Sequence, residues 1–133
     1  MLVISAEEQR NLVKMEEVIE LAAVALKEFS AGRTVTPIRL ALPFDEGKST
    51  GLTMPSVAED LNAVGVKIVM VSPHNQKVGK KTINGVVMLS DFHTGEPIAL
   101  LEGSFLTMIR TGALSGVATK YLAREDADRK SVV

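Results

Sequence analysis

The spacing of apolar residues changes twice along this chain, and each change marks a different kind of element. Leu2-Val-Ile4 is a short apolar run that predicts a strand. Ser5, with Glu8 three residues on, fits a capping box that opens a brief helix. Over residues 14–31, Met15, Val18, Ile19, Ala22, Leu26 and Phe29 recur on one helical face, and Gly32 suits the position just past the end. Glu16, Glu17, Lys27 and Glu28 fall off that stripe and read as a solvated surface. The period then shortens to strand-like runs at residues 34–43, 51–57, 64–72, 82–91 and 97–101. Residues 44–50 form a polar loop, and residues 92–97, Phe92-His-Thr-Gly-Glu-Pro97, have the composition of a hairpin turn. Ser104 stands where it can cap a last helix, residues 105–123.

Short connections between successive strands imply an antiparallel meander and not alternating strands and helices. The expected architecture is α+β, a mainly antiparallel sheet with helices packed on it. The last helix is rich in small residues: Gly112, Ala113, Ser115, Gly116 and Ala118. Each interior glycine costs a helix about 1 kcal/mol relative to alanine, so something approaches that helix closely. After a charged turn, Ser131-Val-Val133 looks like the start of a buried parallel strand. This divides the chain into a domain over residues 1–123 and the beginning of a connection over residues 124–133.

Composition narrows the function classes. With 133 residues the chain is one domain that can bury a core, and its 46% apolar but 4% aromatic content makes that core aliphatic. Fifteen Lys and Arg against 16 Asp and Glu leave no basic stripe for nucleic acid, and no apolar run is long enough for a membrane span. Cysteine is absent, which excludes disulfides, thiolate metal sites and a cysteine nucleophile. The N-terminus lacks a basic region followed by an apolar stretch, so the expected location is cytoplasmic.

Three cations stand out. Lys67 interrupts the apolar run Val64-Gly-Val-Lys-Ile-Val-Met-Val71, where alternation sets it with Val69 and Val71, opposite Val66, Ile68 and Met70. It is either an edge-strand lysine that deters aggregation or a functional group. Arg39, in Pro37-Ile-Arg-Leu-Ala-Leu42, lies opposite Ile38, Leu40 and Leu42 by the same alternation. Its guanidinium can grip a carboxylate through two parallel hydrogen bonds or form a surface ion pair. Arg110 lies in the early turns of the last helix, before Thr111 and Gly112, where it can meet a phosphate or face solvent.

Other candidates fail. Gly79-Lys-Lys-Thr82 lacks the first glycine of a phosphate-binding loop, because position 74 is His. His74 and His93 read as turn residues without metal-ligand spacing, and the scattered methionines read as gap fillers. No metal site is expected. There is no G-x-G-x-x-G, so this stretch does not bind a dinucleotide in the Rossmann manner by itself.

An ordered series of motifs carries a family resemblance: Thr36-Pro-Ile-Arg39, Met54-Pro-Ser56, Gly65-Val-Lys67, Leu89-Ser-Asp91, Thr94-Gly-Glu-Pro97 and Leu106-Thr-Met-Ile-Arg-Thr-Gly112. The chain resembles the substrate-binding and dimerisation domain of the ornithine cyclodeaminase/mu-crystallin family over essentially its whole length. In that family a Rossmann domain begins where this chain ends, so the resemblance implies a truncated enzyme that is inactive alone. It also implies that Arg39, Lys67 and Arg110 bind the substrate carboxylate, and that Lys67 is catalytic, assisting proton transfer at the amine or imine. Thr82, Arg110 and Thr111 match positions that touch NAD or NADP in the complete enzyme.

The implied chemistry is NAD-dependent deaminating cyclisation of L-ornithine to L-proline and ammonia. Hydride leaves the α-carbon, the side-chain amine attacks the resulting imine, ammonia departs, and the cyclic imine recovers the hydride. Within the family, amino-acid dehydrogenation or imine reduction is the alternative. A non-catalytic binding or dimerisation module is the reading outside enzymes. The implied partners are an amino-acid or cyclic imine substrate and a second copy of the chain, joined through the sheet.

Overall fold

The computed structural model describes residues 1–127. The proposed strand start at residues 131–133, and the larger part of the expected connection, lie outside the described residues. Strand β1 spans Leu2–Ile4 and helix α1 spans Ala6–Leu12. The capping box forms as the sequence predicts. Ser5 Oγ accepts from the Glu8 N–H at 3.3 Å, and the Glu8 carboxylate accepts from the Ser5 N–H at 2.8 Å. Helix α2 spans Met15–Ser30, and Gly32 behind it adopts φ 71°, the left-handed conformation that ends a helix without a Cβ clash.

Five strands of the sheet follow the helices. They are β2 (Thr34–Val35), β3 (Leu40–Phe44), β4 (Ser49–Ala58), β5 (Ala63–Val71) and β6 (Ile83–Ser90). Strand β7 (Pro97–Glu102) runs directly into helix α3 (Gly103–Leu122). The strand order is β1-β7-β6-β5-β4-β2, with β3 also on β4. All pairings are antiparallel except β1 with β7, so the sheet is mixed. The fold is α+β, with an antiparallel meander as its body.

Three expectations at element boundaries are corrected. The run at residues 34–43 is two strands, not one. Continuing the β2 register, Thr34 with Ala58 and Val35 with Val57, would set residue 39 opposite Thr53; Leu40 is there instead. One extra residue therefore bulges out between them, where Pro37 has no N–H to offer the ladder. The bulge breaks the alternation that grouped Ile38 with Leu40 and Leu42, and Ile38 is almost wholly exposed. The loop at residues 44–50 contracts to the turn between β3 and β4, because Phe44, Ser49 and Thr50 join the ladder. Helix α3 is capped by Glu102 and not by Ser104: the Glu102 carboxylate accepts from the Phe105 N–H at 2.8 Å.

Lys67 is not on an edge, since β5 lies between β4 and β6. Register and alternation place Met54, Lys67, Val87, Leu101 and Ile4 in one row across the sheet. Val69 and Ala99 share that face and are buried, whereas Met70, Val86, Leu40 and Leu42 on the opposite face are exposed. Helix α3 lies on the Lys67 face, and α2 packs on α3. Gly116 of α3 leaves room for Ile19, and Lys120 pairs with Glu20. Of the α2 stripe, Val18, Ile19 and Ala22 are half-buried, while Leu26 and Phe29 remain exposed. Gln9 holds α1 to the sheet edge, donating to the Ile4 and Glu102 carbonyls at 3.2 and 3.1 Å.

The end of α2 is tied by ions. Arg33 donates to both oxygens of Glu28 at 2.6 Å and approaches Asp60 at 2.9 Å, linking α2 to the short 3-10 turn Glu59–Leu61. Among the described residues, no helix is long and apolar enough to cross a membrane.

Candidate functional site

The site is built on the middle of β5. Strand alternation points Lys67 toward α3, and the neighbouring strands supply Met54 on one side and Val87 on the other. Lys67 is half-buried among these apolar neighbours. Its ammonium is held below the ordinary lysine range, first by burial and second by the Arg110 guanidinium of α3. Two residues far apart in sequence thus come together as like charges.

Arg39 is exposed just ahead of β3. The first residue of that strand, Leu40, pairs with Thr53 beside Met54, so the Arg39 backbone lies near β4, two strands from Lys67. At ordinary strand spacing that is roughly 10 Å between backbones, a gap that long cationic side chains can close around a small anion. Among the described residues, none of Arg39, Lys67 and Arg110 has a carboxylate partner. Lys67, partly desolvated and uncompensated, wants an anion.

Beside Lys67, a cavity of about 210 Å³ runs toward the β4–β5 turn. Met54, Ser56, Gly65, Val87 and Leu89 line it together with Lys67. Among the described residues that line it, the polar side chains are the Lys67 ammonium and the Ser56 hydroxyl. The space suits a small molecule with a carboxylate at one end and hydrocarbon at the other. Met54 and Leu89 stand in the motif series only as parts of the resemblance, and Val87 stands in none, because only the cross-strand register turns three ordinary apolar residues into one wall. The interior glycine Gly65 was the available signal: a Cβ there would stand 2.4 Å from the Met88 carbonyl oxygen.

The expected cofactor residues are scattered. Thr111 is exposed on α3 next to Arg110, its hydroxyl donating to the Thr107 carbonyl at 2.6 Å. Thr82 precedes β6 and accepts, through its carbonyl, from the Ser72 N–H at 2.8 Å. It lies five residues along the strand from Val87, roughly 17 Å from the Lys67 row. The structure therefore brings Lys67 and Arg110 together, leaves Arg39 exposed ahead of β3, keeps Thr111 beside Arg110, and leaves Thr82 at the other end of the sheet.

A nicotinamide dinucleotide would find only one edge of a site on these residues. Helix N-termini commonly bind phosphates; α3 begins under the Glu102 carboxylate and α1 under its own Ser5–Glu8 box, whereas α2 begins without a side-chain cap, its Met15 against Gly112 of α3. What fits is the exposed fork of Arg110, which can meet a phosphate or carboxylate directly. No group of three or more metal-ligating side chains occurs among the described residues. His74 faces Asp45 at 3.9 Å in an exposed turn. Asp91 accepts the His93 and Thr94 N–H groups, so it shapes the β6–β7 turn and does not orient an imidazole.

The sequence profile of the ornithine cyclodeaminase/mu-crystallin family matches residues 1–133. A Delta(1)-pyrroline-2-carboxylate reductase from Bacillus cereus is 71% identical over all 133 residues, which make up 41% of that protein. The solved Delta(1)-pyrroline-2-carboxylate reductase of Thermococcus litoralis, in complex with NADH and L-proline, is 42% identical with a TM-score of 0.89. It covers 96% of this chain, and the chain covers 39% of it. An archaeal alanine dehydrogenase dimer with bound NAD is 30% identical, with a TM-score of 0.87 over 96% of this chain and 38% of its own. The chain spans about two fifths of the length of the curated relatives it matches. It belongs to the ornithine cyclodeaminase/mu-crystallin family.

Proposed function

We propose that this chain, as a member of that family, is the substrate-binding part of an NAD(P)H-dependent reductase of cyclic imino acids, with Δ1-pyrroline-2-carboxylate as substrate and L-proline as product. The observation that carries the proposal is Lys67 beside Arg110, without a carboxylate partner among the described residues, next to a small apolar cavity. An α-carboxylate on an uncharged ring satisfies both halves of that site. L-ornithine would bring a second ammonium against hydrocarbon walls that, among the described residues, carry no acidic side chain, so imine reduction is favoured over ornithine cyclisation. The high identity to the Bacillus cereus reductase supports the same order.

In this reading Arg39, Lys67 and Arg110 grip the carboxylate and fix the ring against the floor made by Met54 and Val87. Lys67 also delivers the proton to the ring nitrogen. Its depressed pKa makes the ammonium a readier acid than an ordinary lysine, and the neutral amine it leaves is easier to keep beside Arg110. A reduced nicotinamide, when bound, supplies the hydride for the imine carbon. In this reading the exposed Arg110 and Thr111 would hold that cofactor, and Thr82, roughly 17 Å along the sheet from the Lys67 row, could meet only a distant part of it. The exposed face of the sheet, with Leu40, Leu42 and Phe44 on its β3 edge, takes a second copy of the chain.

The test is ligand titration of the chain, followed by NMR of the lysine and arginine side chains. L-proline and pyrrole-2-carboxylate, a planar analogue of the imine, should give saturable shifts at Lys67 and Arg110. Lys67→Met should abolish them. Tighter binding of L-ornithine than of L-proline would restore the cyclodeaminase reading, and no saturable shift with either would sink carboxylate binding at this site.

A further inference from the structure

Helix α3 carries Arg110 to Lys67, and its placement is decided at its first residue. Strand β7 ends at Glu102 and α3 begins at Gly103, so no connecting loop gives the helix slack. Gly103 is buried directly on the backbone of β6. A Cβ there would lie 2.8 Å from the Gly85 carbonyl carbon, 2.9 Å from the Val86 nitrogen and 3.0 Å from the Gly85 oxygen. All three are backbone atoms of a strand inside the sheet, and none can turn aside as a side-chain tip could.

The surrounding contacts fix the same seat. Ser104 Oγ donates to the Ile83 carbonyl at 3.2 Å, and Thr107 Oγ1 donates to the Gly103 carbonyl at 2.6 Å. Glu102 pairs with Val86 in the ladder while its carboxylate caps the helix. Arg110 follows seven residues later, about 10 Å along the helix axis. Over that length α3 passes from Gly85 to the row of Lys67, two residues further along β6.

We propose that Gly103 is a positioning residue, whose missing side chain seats α3 on the Gly85 backbone and thereby sets the distance of Arg110 from Lys67. Any side chain at position 103 lifts the first turns of α3 off β6 and moves Arg110 away from the carboxylate site. The consequence for ligand rests on the cation group being the carboxylate site; the seat itself does not.

Gly103→Ala tests this against Gly112→Ala in the same helix. A Cβ at position 112 would meet only the flexible end of Met15, at 3.6 Å, so that variant changes helix propensity without touching the seat. Two readouts are taken on the folded chain: the titration of the Lys67 ammonium by NMR, and the dissociation constant for L-proline. Gly103→Ala should raise the Lys67 pKa toward the ordinary lysine value and weaken L-proline on the order of ten- to a hundredfold. Gly112→Ala should change neither.

Ser104→Ala, which loosens the seat without overpacking it, should move both readouts in the same direction by a smaller amount. If Gly103→Ala does not fold, Ser104→Ala decides alone. A folded Gly103→Ala with unchanged Lys67 titration, or an unchanged Ser104→Ala where the first cannot be read, overturns the proposal. Failure of the wild-type chain to bind L-proline would overturn the proposed substrate, while the Lys67 titration would still report on the seat.

Discussion

Arg110 of α3 stands close enough to Lys67 of β5 to lower its pKa, and among the described residues no carboxylate pairs with either. Two like charges held together against burial are a cost that the rest of the fold carries. A ligand carboxylate relieves it.

Lys67→Met should therefore raise thermal stability while removing carboxylate binding. The sign follows from linkage. A lysine whose folded pKa lies below its unfolded value disfavours folding while it is charged, and the penalty fades as pH rises from the folded pKa to the unfolded one. The gain from Lys67→Met should be full at neutral pH and shrink in strongly alkaline buffer. Urea unfolding at several pH values checks it; a loss of stability at neutral pH would contradict the strain.

Glu28→Gln should lower Tm by several degrees. The Arg33 guanidinium holds the Glu28 carboxyl below its usual range through two hydrogen bonds, against the opposing effect of burial. A carboxylate depressed in the folded state contributes stability above its unfolded pKa, and that contribution is lost as pH falls through the folded value. The wild type should lose stability in acid more steeply than the variant, as a pH series of thermal melts would reveal.

The two interior glycines of α3 should respond oppositely to alanine. Gly112→Ala gains helix propensity of about 1 kcal/mol, its methyl making only an ordinary contact with the end of Met15 at 3.6 Å. Gly116→Ala places a Cβ 2.5 Å from Ile19 Cδ1 and 2.7 Å from Cγ1, an overpacking cost of roughly 1–3 kcal/mol that offsets the same gain. Denaturant midpoints should rise for the first and fall for the second. Equal shifts would mean that α2 does not press on α3.

Leu40→Lys combined with Leu42→Lys should dissociate the proposed pair of chains. Both leucines are 57% exposed on the open face, and burying two ammonium groups there should raise the dissociation constant about a hundredfold or more. Sedimentation velocity of wild type and variant reads the outcome. A wild-type chain that stays monomeric at high concentration removes the premise.

Much of the architecture was legible because it rests on local rules. The 3.6-residue stripe of α2, the Ser5–Glu8 box and the period-2 runs of β4 to β7 all report short-range sterics and hydrogen bonding. The errors fell where tertiary context overrides those rules. Residues 34–43 read as one strand because alternation cannot register an inserted residue, and the bulge at 36–39 becomes visible only against β4. The α3 cap was assigned to Ser104 by propensity, yet Glu102 holds the position because β7 delivers its carboxylate there.

The site was legible residue by residue and not as a constellation. Lys67 in an apolar strand and Arg110 in a small-residue helix are each conspicuous in the sequence, and the motif series marks Arg39 with them. Their convergence depends on β5 being central and on α3 lying across its face, and neither is set within a few residues of either cation. The sequence by itself determined which elements form, where apolar faces lie and which cations are out of place. Tertiary structure alone decided that Lys67 meets Arg110 and Met54 meets Val87 around one cavity, because cross-strand register and helix docking join residues through space that no sequence interval measures.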